Sequence, residues 1–211
     1  MATLLLRLAG PMQSWGSSSK FDIRKTDSEP SKSGVIGMLA AALGRRRTDP
    51  VDDLAALKFG IREDLPGILT RDLQTVHAEK TYLTYRYYLN DAIFIAGLES
   101  DDRKFLEELA WALGHPVFHI FLGRKSCPPM EPLVLGIRDK GLEEALRDEP
   151  WQIPEYRRGS KDPRVSRKCR IVMDAKDGDL IMSRQSPLSF SSENRSYGLR
   201  FAKEVFCDVK D

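Results

Sequence analysis

At 211 residues with 41% apolar content, the chain can bury one large or two small cores, so a disordered chain is not expected. Lys plus Arg number 33 against 31 for Asp plus Glu, so a net charge of +2 does not by itself announce a nucleic-acid binder. Three cysteines without a C-x-x-C pair argue against a zinc ribbon or disulfide framework, and no apolar run reaches the roughly 20 residues of a membrane span, so the expectation is a cytoplasmic protein.

Thr3 to Ala9 reads as a buried strand, with Leu4, Leu6 and Leu8 on one face and Leu5 and Arg7 on the other, ended by Gly10-Pro11. A long polar loop with Trp15 and Phe21 embedded follows. Ser33 is the expected N-cap of a helix from Gly34 to about Leu43, with Gly44 just past its end. On the helical wheel Gly34, Gly37, Ala41 and Gly44 share one thin side, where a backbone can approach closely. Phe59 to Arg62 and Tyr87 to Leu98 read as the second and third strands, with a hairpin-like excursion between them. Phe105, Leu106, Leu109, Ala112 and Leu113 make a helical stripe, stopped by Gly114 and Pro116. Val117 to Leu122 reads as the fourth strand, giving the order β-α-β-β-α-β of a ferredoxin-like unit with a long insertion. Beyond it lie a basic turn, a short helix at 141–147, strands at Ile171–Ala175 and Leu180–Met182 around the turn "KDGD", and a last strand from Tyr197 to Val209.

Charge is sorted into patches: seven basic against three acidic residues from Lys20 to Arg47, and seven against one from Arg157 to Arg170. The stretch "SKSG" at 31–34 places hydroxyls and a lysine at a helix start, a position suited to phosphate. It is not a P-loop, because Thr26 and Ser31 stand where both glycines belong, and no G-x-G-x-x-G follows a strand. No nucleotide cofactor is expected. His115 and His119 are separated by Pro116 and no H-E-x-x-H occurs, so no metal is expected either. Arginines and lysines interleaved with Trp15, Phe21, Tyr85, Tyr87 and Tyr88 instead suit a single-stranded nucleic acid, with cations for phosphates and rings for unpaired bases. Metal-free RNA cleavage would need a base, an acid and a cation, types that His77, Tyr82, Tyr85 and Lys80 supply.

Four blocks, "LLLRLAGPMQSWG", "PSKSGVIGMLAAALG", "TYRYYLNDAIF" and "FLGRKSCPP", occur in this order within the first two thirds of the chain. Together they resemble the CasD family, whose members cap the 5′ end of the crRNA in the type I-E CRISPR Cascade complex. The resemblance implies an α+β protein of the RAMP superfamily: a ferredoxin-like, RRM-like core at residues 1–122, a thumb-like β-hairpin at about 65–86, and a smaller β-rich C-terminal part at 123–211. It implies a non-catalytic role in antiviral defence, with the crRNA 5′ handle, a CasC-type backbone subunit, a CasA-type large subunit and other Cascade subunits as partners. Target DNA is engaged only through the complex.

Carried onto this sequence, Gln13, Ser14, Trp15 and Gly16 would line the handle, and Arg24 with Lys25 would meet its phosphates. Ser31, Lys32 and Ser33 become an RNA phosphate site. Arg45, Arg86 and Tyr87, and Arg124 with Lys125 and Ser126, add contacts. In type I-C systems the corresponding subunit is the crRNA-processing endonuclease; under that alternative His77, Lys80 and Tyr85 are the candidate catalytic groups.

Overall fold

The computed structural model describes residues 1–16, 22–77, 81–176, 180–191 and 193–210. Its spine is β1 (Ala2–Ala9), whose eight residues are all buried. A strand buried on both faces needs apolar side chains on both. Leu4, Leu6 and Leu8 enter the core beneath α1 and α3, while Leu5 and Ala9 enter a second core on the opposite face with Leu142, Leu146, Trp151 and Ile153.

The chain continues through the short strands β2 (Met12–Gln13) and β3 (Ile23–Arg24), helix α1 (Lys32–Ala42), a four-residue helix α2 (Asp52–Ala55) and β4 (Lys58–Leu65). Next come the hairpin strands β5 (Ile68–His77) and β6 (Thr81–Asn90), then β7 (Ile93–Ser100), α3 (Arg103–Gly114), β8 (Val134–Arg138) and α4 (Leu142–Asp148). A short α5 (Glu155–Arg158) precedes β9 (Lys168–Asp174), β10 (Leu180–Ser189) and β11 (Ser196–Asp208). Seven strands form one sheet in the order β10-β11-β9-β4-β7-β1-β8, every adjacent pair antiparallel. A second, four-stranded sheet is built on β6, which carries β5 along one edge and β2 and β3 on the other. The protein is thus a mixed α+β fold with helices on both faces of an extended antiparallel sheet.

Three sequence expectations change. Val117 to Leu122 is not a strand: the N–H groups of Val117 and Phe118 donate to the carbonyls of Ala42 and Ala41, satisfying open acceptors at the end of α1. The edge beside β1 is taken instead by β8, a strand with a bulge near Gly136 (φ 114°) that the sequence reading did not include. Tyr87 to Asn90 belong to β6, and the chain turns at Asp91 (φ 58°) before β7, so the expected third strand is two strands. The N-cap of α1 is Ser31, not Ser33; Ser31 Oγ accepts from Gly34 N at 3.2 Å. Gly44 does adopt the left-handed conformation past the helix end, at φ 76°. Asp102 caps α3, whose buried stripe is Leu106, Leu109, Ala112 and Leu113. The short helices α2 and α5 were not expected, although acidic residues open both and Gly159 ends α5. The expected "KDGD" turn falls largely outside the described residues.

Buried polar groups tie the layers together. Arg62 and Asp64 are inaccessible and form a pair at 2.7 Å, and the Arg62 guanidinium also donates to the carbonyls of Leu146, Glu149 and Pro150 at the end of α4. The basic stretch 157–170 is largely absorbed in the same way. Arg157 reaches Asp91, Arg158 donates to the carbonyls of Ile153 and Trp151, Arg164 pairs with Asp162, and Arg170 lies between Glu29 and Glu204.

Candidate nucleic-acid interface

The thin side of α1 is open. A cavity of about 580 Å³ is bounded by Ser14, Trp15, Gly16, Ser31, Ser33, Gly34 and Gly123 on one side and by Phe190, Arg195 and Tyr197 on the other. A second, of about 320 Å³, continues along Gly37, Met38 and Ala41 to Arg45, Arg46 and Arg47, with His119, Ile120 and Phe121 opposite. The two share Ser33, Gly34, Gly123, Phe190 and Arg195, so they form one groove following the helix. The glycines divide between roles. Gly34 is needed for packing, since a Cβ there would lie 2.9 Å from the Trp15 ring, whereas at Gly37 the nearest group is Phe190 at 3.8 Å. Gly123 closes the entrance: its φ is 85°, and a Cβ would fall 1.7 Å from the Ser14 carbonyl oxygen.

The loop residues expected to line RNA partly serve the scaffold. Gln13 is inaccessible, donates to the carbonyls of Leu8 and Ala92, and accepts from Trp15 Nε1 at 2.9 Å. This holds the Trp15 ring under Gly34. Ser14 Oγ donates to the Tyr87 carbonyl at 3.1 Å while the residue borders the groove, and Gly16 sits at its mouth. Ser31 and Ser33 place two hydroxyls 3.4 Å apart on the wall.

Lys32 does not line the groove. It is 6% exposed, and its Nζ pairs with Asp174 at 3.0 Å. Asp174 also accepts from Phe59 N at 3.0 Å and pairs with Arg200, so the lysine ties α1 to β4, β9 and β11.

Other cations divide the same way. Arg45 donates to Asp53 at 2.6 Å and to the Pro50 carbonyl, and its hydrogen bonds to Asp53 raise the guanidinium pKa while lowering that of the carboxyl. Arg46 and Arg47 are exposed. Arg124 spans the backbone: it donates to the carbonyls of Tyr87, Arg24 and Lys25 and sits 5.0 Å from the Tyr88 ring centre. It therefore fastens the strand bearing Arg24 to the hairpin. Arg24 and Lys25, on and just after β3, are exposed, as are Lys125 and Ser126. Arg86 is half-buried on β6 between Arg24 and Asp72 in register, with its Nε buried and unbonded. Tyr87 is half-buried beside it.

Among the described residues the hairpin does not bring His77 and Tyr85 together. His77 is at its far end, its Nδ1 3.1 Å from Thr81 Oγ1, and Thr81 is its register partner. Tyr85 lies four residues further along β6, roughly 13 Å away at about 3.3 Å per residue, beneath the Arg71 guanidinium. Lys80 lies outside the described residues, as does Phe21. Among the described residues no cluster of His, Cys, Asp and Glu could hold a metal, and no helix is long and apolar enough to cross a membrane.

The groove residues absent from the sequence reading are Phe190, Arg195 and Tyr197. Phe190 and Arg195 come from the turn between β10 and β11 and Tyr197 from the start of β11, far from α1 in sequence; the aromatic-x₄-Arg-x-Tyr spacing was the available signal, and nothing linked it to the helix.

A family model described as CRISPR-associated protein (Cas_Cas5) matches residues 3–203, nearly the whole chain. The chain belongs to that family. It is 36% identical over 159 residues to the CRISPR system Cascade subunit CasD of Escherichia coli (strain K12), covering 63% of this chain and 70% of that protein. Among solved structures it is similar to one described as a Cas protein, at 40% identity and a TM-score of 0.77, over 98% of this chain and 95% of the other. It is also similar to a chain of a CRISPR RNA-guided surveillance complex, at 32% identity and a TM-score of 0.79, over 98% and 90%.

Proposed function

We propose that this chain is a non-catalytic subunit of a type I-E CRISPR surveillance complex, in the cytoplasm, that grips and caps the 5′ handle of the crRNA. The observation that carries the reading is the groove along α1, whose glycine floor, paired serine hydroxyls and terminal arginines suit a sugar-phosphate chain drawn close to the helix. On this reading Ser14, Gly16, Ser31 and Ser33 contact the handle inside the groove. Arg46 and Arg47 at the far end of the groove and Arg24, Lys25 and Lys125 outside it neutralise its phosphates, and Ser126 offers a hydroxyl beside them. Gln13, Trp15, Lys32, Arg45 and Arg124 act at one remove, by holding those groups in place. The β5–β6 hairpin, with Leu69, Leu73, Tyr82 and Leu83 exposed, is the thumb that would lean on a CasC-type backbone neighbour, while a CasA-type large subunit joins elsewhere. The strand order β8-β1-β7-β4 with α1 and α3 on one face supports the ferredoxin-like reading of the core. Separation of His77 from Tyr85 disfavours the endonuclease alternative.

The test is binding of the purified chain to a labelled RNA carrying the repeat-derived handle. With about four phosphates neutralised, log affinity should fall against log salt with a slope near −3, and Arg24→Glu should flatten that slope by about 0.7 without altering thermal unfolding. Equal affinity for an unrelated RNA end, or no salt dependence, would reject the reading. Cleavage of repeat RNA in EDTA, lost in His77→Ala, would establish the alternative instead.

A further inference from the structure

Phe190 and Arg195 from the β10–β11 turn and Tyr197 from the start of β11 stand across the cavity from the serines at the start of α1, and no sequence signal joined them to it. Phe190 and Tyr197 meet edge to face, with ring centres 6.3 Å apart. Arg195 lies 5.4 Å from the Tyr197 ring centre, donates to Tyr197 Oη, and among the described residues faces no carboxylate. Phe190 leans toward the bare Cα of Gly37 and lines both cavities, so it divides the groove. The compartment it closes, about 580 Å³, is within the roughly 300–1,000 Å³ that encloses a small ligand. Its walls carry hydroxyls on the α1 side and an arginine with two aromatic rings on the other, and it is continuous with a second cavity leading to Arg46 and Arg47. A free small molecule has no use for that continuation, whereas a polymer does.

We infer that this compartment holds one nucleotide of a single-stranded RNA turned out of the stack, its base against Tyr197 and Phe190 and its phosphate between Arg195 and the hydroxyls of Ser31 and Ser33. The inference rests on the reading of the chain as a handle binder and adds a single-base subsite contributed by the C-terminal part. Stacking of a base on an aromatic ring tolerates every base, so the compartment senses that a base is present and unpaired more than which base it is. A duplex end is refused because both bases of a pair cannot enter.

The experiment places 2-aminopurine at each handle position in turn and reads its fluorescence on titration with the full chain. One position is expected to change sharply and its neighbours little. Tyr197→Ala should abolish that change and weaken binding about 5- to 150-fold, the range for loss of one base stack, while Tyr197→Phe should retain both. Arg195→Gln should weaken binding while leaving the fluorescence change in place. RNA binding with no distinguished position, or full affinity in Tyr197→Ala, overturns the subsite and leaves handle binding standing. Absence of RNA binding by the unaltered chain overturns both. Burial of Tyr197 by a protein partner in the assembled complex, with no 2-aminopurine response, also overturns it.

Discussion

Replacing Asp174 separates a structural role for Lys32 from a role in gripping RNA. The carboxylate accepts from Lys32 Nζ and Phe59 N, both at 3.0 Å, and pairs with Arg200, while the side chains of Lys32 and Arg200 are 8% and 4% exposed. Asp174→Ala leaves two nearly buried cations and one backbone N–H without this acceptor. Removing one partner of a buried pair costs about 3–5 kcal/mol, well above the median of surface ion pairs, which is below about 1 kcal/mol. Lys32→Ala leaves Asp174 its other two donors and deletes one charge-assisted hydrogen bond, for about 1.5–3 kcal/mol. Urea unfolding of the two single variants and the double variant measures both costs and their coupling, with an unchanged slope expected if the native state is otherwise intact. In the same variants, folded Lys32→Ala should bind handle RNA with unaltered salt dependence, because its ammonium never reaches the groove. A loss of about 0.7 in the salt slope, with stability unchanged, would refute the reasoning and return Lys32 to the phosphate site that its position beside Ser31 and Ser33 suggested.

Gly123→Ala meets both a left-handed backbone and the Ser14 carbonyl 1.7 Å from the new Cβ, so a loss of at least about 2 kcal/mol and a disordered groove entrance are expected; near-native melting would contradict this. Arg124→Lys should destabilise by about 1–3 kcal/mol despite keeping its charge, because a single ammonium cannot reach the carbonyls of Tyr87, Arg24 and Lys25 together, as thermal unfolding would register. Burial pushes the Cys169 thiol up to about 12. Its folded value exceeds the unfolded one, so the stabilisation is complete below about pH 9 and declines as pH rises from there toward 12, by at most about 1.4 kcal/mol per unit. Cys169→Ser should flatten that decline in an unfolding series, and native Cys169 should resist alkylation at pH 8 until urea is added.

Much of the architecture is written in local pattern. The alternation of Leu4, Leu6 and Leu8 against Leu5 defines a two-faced central strand, Asp102 and the stripe from Phe105 to Leu113 define α3, and Gly44 marks the end of α1, because each depends on neighbours within a turn or a few residues. The four sequence blocks sufficed for the family, and the family match extends over nearly the whole chain. Residues with more than one possible partner escaped such reading. Val117 and Phe118 have strand-forming side chains, yet their backbone donors are taken by carbonyls at the end of α1, and a bulged segment that begins sixteen residues after Phe118 takes the sheet edge. Lys32 has the composition of a phosphate ligand, and only the arrival of Asp174 from β9 gives its charge to the fold. Gln13 and Trp15 look like exposed loop groups until Leu8, Ala92 and Gly34 surround them.

What the sequence determined by itself is which segments bury and which carry cations, since hydrophobic period and charge are properties of a residue and its near neighbours. What only the tertiary structure decided is which cations remain available and what faces them. A charge is spent or free according to the partner that packing brings within about 3 Å, and Asp174, Phe190, Arg195 and Tyr197 reach α1 from more than 130 residues away.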